Sequence, residues 1–162
     1  MFEKPWASVG IWVFIGLFFY ALLSGLMAEG PLVVDQDVTS AGLEIRRSSD
    51  GHYYLKGRID DHPVTFLIDT GASSVAISAK LADEIGLTRC RPVQSRTANG
   101  SVTGCLVTAA VLSFGDYRVE RPEINVLPEL HGPALLGMNI LERFHIEQQN
   151  GVMRLSPPDK SN

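Results

Sequence analysis

A carboxylate follows directly on an apolar segment, where a buried strand has to break into a tight turn. Val64–Ile68 is rich in β-branched and aromatic residues, which predicts a buried strand, and Asp69, Thr70 and Gly71 come immediately after it. A charge in this position is costly unless it is hydrogen-bonded or paired. The Thr70 hydroxyl and the N–H groups around Gly71 are available donors, and a glycine lets a second backbone approach closely. Taken alone, the tripeptide is typical of an ordinary turn in which the aspartate caps its own loop.

The surrounding sequence alternates between short strand-like stretches and turn signals. Asp50-Gly51, Asn99-Gly100 and Asn150-Gly151 are dipeptides typical of hairpin turns. Strands are predicted at residues 43–48, 52–59, 64–68, 75–78, 134–136, 145–148 and 152–155, in a hairpin over 94–108 and in a pair around 115–116.

Short helices interrupt this pattern at two places. Ser78 can cap a helix over residues 79–85, and Gly86 would end it in the left-handed conformation. Residues 139–144 can form one or two further helical turns. Many short strands with regular turns and little helix indicate a small, mostly β domain that is either closed or sandwiched.

The amino-terminal segment carries no charge from Pro5 to Ala28, long enough for a helix across the roughly 30 Å core of a bilayer. A cleaved signal peptide is the alternative, but its apolar region covers only about 7–15 residues and ends in a small-x-small site. Here Leu26 occupies the position where that site needs a small residue. Residues 1–28 are therefore predicted to be an uncleaved transmembrane anchor, followed by a juxtamembrane linker over 29–41.

The charges that flank this segment predict its orientation. Lys4 and the terminal amine precede it, whereas Glu29, Asp35 and Asp37 follow it. The positive-inside tendency then places the short amino terminus in the cytoplasm and the rest of the chain outside.

Composition excludes some partners and leaves the cysteines undecided. The formal net charge of −4 argues against nucleic acid, because neutralising phosphates requires a basic face. Cys90 and Cys105 are the only cysteines, and an even pair outside the cytoplasm can form a disulfide. Two separate small apolar residues are the alternative, and the sequence does not decide between them.

The usual signatures of metal and cofactor sites are absent from the sequence. The four histidines are scattered, without the spacing of a metal site. Ser73 and Ser74 follow the aspartate, but there is no nucleophile elbow, and neither a phosphate-binding loop nor a dinucleotide fingerprint is present. We therefore expect neither a metal nor an organic cofactor.

Three segments in order resemble the retropepsin-like aspartic proteases. Residues 66–77, Phe-Leu-Ile-Asp-Thr-Gly-Ala-Ser-Ser-Val-Ala-Ile, are similar to the active-site segment of that family. Residues 134–141, Ala-Leu-Leu-Gly-Met-Asn-Ile-Leu, are similar to its second signature, and 97–102 lie where the family has its flap hairpin. The chain looks most like the bacterial branch, with one membrane helix and an exported domain. The resemblance implies a small closed β-barrel over 42–157, a tail over 158–162 and a place in the inner membrane, with the domain facing the periplasm or the cell exterior.

The same resemblance implies a role for each matching residue. Asp69 would be the catalytic carboxylate in an active-site loop that also contains Thr70, Gly71 and Ala72. Thr70 would hydrogen-bond across a dimer, and Gly71 would let a substrate or partner backbone pass. The remaining implied positions are the flap residues Thr97, Ala98, Asn99 and Gly100, and Leu136 and Gly137 behind the active-site loop.

The implied activity is that of an aspartic endopeptidase acting on polypeptides. This chemistry needs two carboxylates that share one proton, because like charges about 3 Å apart cannot both ionise. The chain has one Asp-Thr-Gly and no internal repeat, so a two-fold homodimer is the simplest way to bring two Asp69 side chains together. The helix inserted at 79–85 departs from the viral pattern. A non-catalytic peptide-binding or dimerisation module is the main alternative, and an anchored structural protein with Asp69 as a turn cap is a third.

Overall fold

The computed structural model describes residues 12–21, 34–39, 42–97 and 100–157, which fall into two compact units, residues 1–31 and 32–162. In the first unit, residues 12–21 are helical and all ten residues are exposed. No helix within the described residues is both long and apolar enough to cross a membrane. The rest of the predicted anchor over 1–28 lies outside the described residues, so the anchor stays a prediction.

The second unit consists almost entirely of short strands. Its elements are β1 (Gln36–Thr39), β2 (Gly42–Arg46), β3 (Tyr54–Ile59), β4 (His62–Ile68), β5 (Val75–Ser78), α1 (Ala79–Glu84), β6 (Arg91–Thr97), β7 (Gly100–Thr108), β8 (Val111–Phe114), β9 (Tyr117–Glu120), β10 (Glu123–Leu127), β11 (Ala134–Leu136), α2 (Met138–Leu141), β12 (His145–Gln149) and β13 (Val152–Ser156). The expectation of a mostly β domain with one or two short helices is confirmed.

The local signals behave as their chemistry predicts. The Ser78 hydroxyl accepts a hydrogen bond from the Leu81 N–H at 3.1 Å, which caps α1, and Gly86 follows the helix with φ +74°. Asn150 and Gly151 both have positive φ values, 52° and 76°, and join β12 to β13.

The turn between β2 and β3 is held by the Asp50 carboxylate. It accepts hydrogen bonds from the Tyr54 hydroxyl at 2.6 Å and from the His52 N–H at 3.0 Å. These bonds, with the Tyr54 hydroxyl contributing most, lower the pKa of Asp50 below its ordinary value, because they stabilise the charged form.

A nine-stranded sheet forms the larger part of this unit, in the order β6-β7-β10-β5-β11-β4-β3-β8-β9. The closed barrel implied by the resemblance is not found: within the described residues this order ends at β6 and β9, and no ladder joins them. The reason is that each of these strands is the outer arm of a hairpin, β6 with β7 and β9 with β8, and so has one neighbour.

A second sheet has the order β1-β2-β13-β12. Its first strand lies inside residues 29–41, which were predicted to be a linker, and all four of its residues pair with β2. Pairing satisfies backbone groups that β2 would otherwise present to solvent, which explains why a stretch without hydrophobic period becomes a strand.

Side chains from both sheets contribute to one apolar core. Leu43, Leu55, Phe66 and Leu155 are fully buried, and they come from β2, β3, β4 and β13. At about 1.5–3 kcal/mol for each buried side chain of this size, the core is the main stabilising contribution and fixes the strands that flank Asp69.

A disulfide joins Cys90, just before β6, to Cys105 in β7, with their Cα atoms 5.1 Å apart. The question that the sequence left open is thereby decided. The bond ties the outer strand of the β6–β7 hairpin to its neighbour, next to the pair of Pro92 with Cys105.

We expect the double change Cys90→Ser, Cys105→Ser to lower the free energy of unfolding by about 3 kcal/mol, because cross-linking a loop of some 15 residues restricts the unfolded chain. Urea denaturation of both proteins measures this difference. Adding a reductant should shift the wild type to the midpoint of the variant and leave the variant unchanged. A wild type that does not respond to the reductant would contradict the prediction.

Candidate active site

Asp69 lies in the connection between β4 and β5, which has to cross the end of a third strand. β11 lies between these two strands in the sheet, parallel to β4 and antiparallel to β5. Residues 69–74 therefore pass over the end of β11 at Leu136, where the chain turns into α2. This crossing brings segments 66–77 and 134–141, which are far apart in sequence, into direct contact.

The loop holds its own carboxylate in place. The Gly71 N–H donates a hydrogen bond to Asp69 Oδ1 at 2.8 Å, and the Ala72 N–H donates to the Asp69 carbonyl at 3.2 Å. The Asp69 N–H in turn donates to the Leu136 carbonyl at 3.1 Å. Asp69 is half-buried, whereas Thr70 and Gly71 are exposed. The loop therefore remains accessible to solvent while its hydrogen bonds orient the carboxylate.

Gly137 makes the crossing possible. A Cβ built on it would lie 2.4 Å from the Ser74 carbonyl carbon and oxygen, closer than any real Cβ contact. Its φ of −95° is open to any residue, so the requirement for glycine is steric rather than conformational. The next two residues hydrogen-bond to the loop. The Met138 N–H donates to the Ala72 carbonyl at 2.8 Å. The Asn139 N–H donates to the Ser73 carbonyl at 3.1 Å.

Two asparagines that the sequence analysis did not single out also fix the loop. Asn139 accepts a hydrogen bond from the Val75 N–H at 2.9 Å and donates to the Glu123 carbonyl at 3.2 Å. Asn125 donates to the Ser74 hydroxyl at 2.6 Å. The sequence contained one signal for these contacts, since each asparagine lies between two apolar residues. An amide in such a segment is unusual unless both of its polar atoms have hydrogen-bond partners.

An open depression of about 290 Å³ lies beside the loop. Residues 70–73 form one wall, and Met138, Asn139 and Glu142 form the other. The predicted loop residues Thr70, Gly71 and Ala72 thus lie together at its edge. Within the described part of the chain, no hydrogen bond is found for the Thr70 hydroxyl.

The predicted flap is an antiparallel hairpin of β6 and β7. Its last described pair is Thr97 with Gly100, and Gly100 has φ +116°. Ala98 and Asn99, predicted for the tip, lie outside the described residues. The hairpin is connected to the site through β10, which pairs with β7 on one side and with β5 on the other.

No group of three or more His, Cys, Asp or Glu side chains among the described residues could hold a metal ion. The polar groups around Asp69 are backbone N–H groups, hydroxyls and amides. They can orient a carboxylate and a polypeptide backbone, which is the arrangement that acid–base chemistry at a carbonyl requires.

Comparisons with known proteins agree with this geometry. A family model described as "gag-polyprotein putative aspartyl protease" matches residues 55–143. An uncharacterized protein of Rickettsia prowazekii is 31% identical over 104 residues, which cover 62% of this chain and 44% of that protein. An uncharacterized protein of a Sinorhizobium species, from the 5′ region of cobV, is 25% identical over 167 residues, covering 91% of this chain and 71% of that protein.

A solved structure is similar over most of the second unit. The crystal structure of a retropepsin-like aspartic protease from Rickettsia conorii matches with a TM-score of 0.63 and 26% identity, covering 81% of this chain and 97% of that one. The alignment to the R. prowazekii relative spans less than half of that protein's length. The residues that the family model matches, 55–143, include Asp69.

We expect Gly137→Ala to lower the free energy of unfolding by about 3 kcal/mol, because the added methyl group has to displace the Ser74 backbone. Thermal or urea unfolding of the purified variant measures the change. Gly51→Ala is the matched control: its Cβ meets nothing within 4 Å, and its φ of +88° should cost only about 1 kcal/mol. Equal losses for the two variants would show that the crossing at Gly137 is not tight.

Proposed function

The chain belongs to the retropepsin-like aspartic protease family, and on that premise we propose that it is an endopeptidase that hydrolyses polypeptides with the Asp69 carboxylate. The observation that carries the proposal is the hydrogen-bonded position of this carboxylate. Asp69 Oδ1 is held by the Gly71 N–H at 2.8 Å, at the edge of an accessible loop. An aspartate that only capped its own turn would need just this bond. Here residues 136–139 also hydrogen-bond to the loop.

The proposed reaction requires two carboxyl groups, and one chain supplies one of them. In the proposed reaction one carboxylate removes a proton from a water molecule, which attacks the peptide carbonyl, while the second carboxyl group donates a hydrogen bond to the carbonyl oxygen. The two groups share one proton, which belongs to the pair rather than to either residue. The attack gives a tetrahedral intermediate. The proton taken from the water then passes to the amide nitrogen, and the C–N bond breaks to release an amine and a carboxylic acid.

We propose that a second copy of the chain supplies the other carboxylate in a two-fold dimer. Within the described residues the loop contains one Asp-Thr-Gly, and its Thr70 and Gly71 are exposed. A two-fold contact through this loop would place the two Asp69 carboxylates opposite each other across the axis. The Thr70 hydroxyl is then free to bond across the axis, as the family resemblance implies.

We further propose that residues 1–28 anchor the protein in the bacterial inner membrane, with the domain on the outer face. Residues 12–21 form a helix in which Trp12, Phe14, Leu17 and Phe18 are all exposed by 60% or more, and an all-apolar helix surface suits a lipid environment. The disulfide between Cys90 and Cys105 supports an oxidising compartment for the domain.

We expect Asp69→Asn to reduce hydrolysis of an unfolded protein by about 10²–10⁴-fold, the usual contribution of acid–base groups. The full chain in detergent micelles is incubated with reduced, unfolded lactalbumin between pH 4 and pH 8, and the fragments are followed by mass spectrometry. Asp61→Asn is the matched control, because Asp61 is an exposed turn carboxylate outside the site. The activity of this variant should equal that of the wild type.

Cleavage that persists at the same rate in the Asp69→Asn protein would contradict the assignment. If the wild type and the variant both bind the unfolded protein without cutting it, the chain is instead a peptide-binding module that uses the same fold.

Mixing the two proteins tests the dimer directly. If both carboxylates are needed, an equimolar mixture of wild type and Asp69→Asn retains about one quarter of the activity of the same total amount of wild type, because random pairing makes only that fraction of doubly active dimers. The mixture is incubated until subunits have exchanged and is then assayed. Retention of one half would mean that each subunit acts alone.

A further inference from the structure

The depression beside the Asp69 loop has a chemical character of its own. Among the described residues that line it, Glu142 has the only ionisable side chain, and the other lining groups are small, amide, hydroxyl or thioether. Both polar atoms of the Asn139 side chain are already engaged, by the Val75 N–H and the Glu123 carbonyl. Charge recognition in the depression therefore falls to Glu142.

The Glu142 carboxylate is exposed and uncompensated. No cation among the described residues lies within ion-pair distance of it, although other surface carboxylates such as Glu44 and Glu123 have arginine partners. Arg143 is its neighbour in the chain but does not line the depression. An exposed carboxylate at the end of a pocket attracts a cationic group from outside the chain.

The apolar part of the depression suits the rest of such a group. Met138 and Glu142 are one helical turn apart, and the Glu142 N–H donates to the Met138 carbonyl at 2.9 Å, so the two side chains lie on the same helix face. A thioether beside a carboxylate matches a long aliphatic stem that ends in a positive charge, which is the shape of lysine and arginine side chains.

We infer that this depression is a substrate subsite that takes a lysine or arginine side chain, with Glu142 pairing with its charge. The inference rests on the proposed peptidase function, because the depression begins at Thr70, the residue after Asp69. Residues 70–73 line the depression and directly follow Asp69 in the chain, so the proposed subsite adjoins the proposed catalytic carboxylate. Glu142 is thus a specificity-determining residue.

The test uses two matched sets of apolar decapeptides, one with a single lysine moved through every position and one with methionine in its place. The full-length wild type should cleave the lysine peptides faster in kcat/KM at one position relative to the scissile bond, by up to about five-fold, the upper end for an exposed ion pair. Glu142→Gln should bring the ratio close to one. Glu142→Lys should invert the preference in favour of a third set that carries glutamate.

Glu129→Gln is the matched control, because Glu129 is an exposed carboxylate that does not line the depression, and it should keep the wild-type ratio. A lysine preference that is the same in wild type, Glu142→Gln and Glu142→Lys would overturn the inference. So would a loss of dimers in Glu142→Lys, seen by sedimentation, with unchanged selectivity, since the carboxylate would then pair with the partner subunit.

Binding to the Asp69→Asn protein separates this inference from the proposed activity. Calorimetry with the same peptides should show tighter binding of the lysine set, and the difference should vanish when Glu142→Gln is added. If no peptide is cleaved by the wild type but this difference is present, the peptidase assignment fails and the subsite stands. Equal binding of both sets by the Asp69→Asn protein would refute the subsite whatever the activity.

Discussion

The site depends on the close crossing of two backbones. Residues 69–74 pass over the chain at Gly137, where a single methyl group would meet the Ser74 carbonyl at 2.4 Å. Because the backbones are this close, the Met138 and Asn139 N–H groups can reach carbonyls of the loop. Close-packed backbones deform little, so this contact restricts the arrangement of the loop. The orientation of Asp69 follows from that constraint.

Two asparagine side chains add hydrogen bonds that hold the loop in addition to the backbone crossing. Asn139 and Asn125 connect the loop to β5 and β10, and the Asp69 N–H donates to the Leu136 carbonyl of β11. The loop is therefore supported by three strands and a short helix in addition to its own turn. Support of this kind keeps a charged group in one orientation without a second charge nearby. It also leaves the outer face of Thr70 and Gly71 exposed, which is the face that a symmetric partner and an extended peptide would use.

Local signals predicted most of the elements, because each rests on neighbouring residues. The Ser78 cap, the Gly86 stop and the Asn150-Gly151 hairpin were all confirmed. β10 was missed even though Ile124 and Val126 alternate with polar residues, since an isolated alternation of two apolar residues is a weak signal.

The residues of β1 show no hydrophobic periodicity, and their strand conformation comes from pairing with β2. The closed barrel was wrong because sheet closure depends on which edges meet, a property of the whole topology.

The sequence by itself determined most of the strands and their turns, because these depend on local chemistry and short spacing. It also determined which residues, 66–77 and 134–141, carry the family resemblance. Only the tertiary structure decided that β11 lies between β4 and β5, that Cys90 joins Cys105, and that Asn139 serves the loop. The physical reason is separation along the chain. Val75 and Asn139 are 64 residues apart, and no local preference encodes a contact that forms only when the intervening chain has folded.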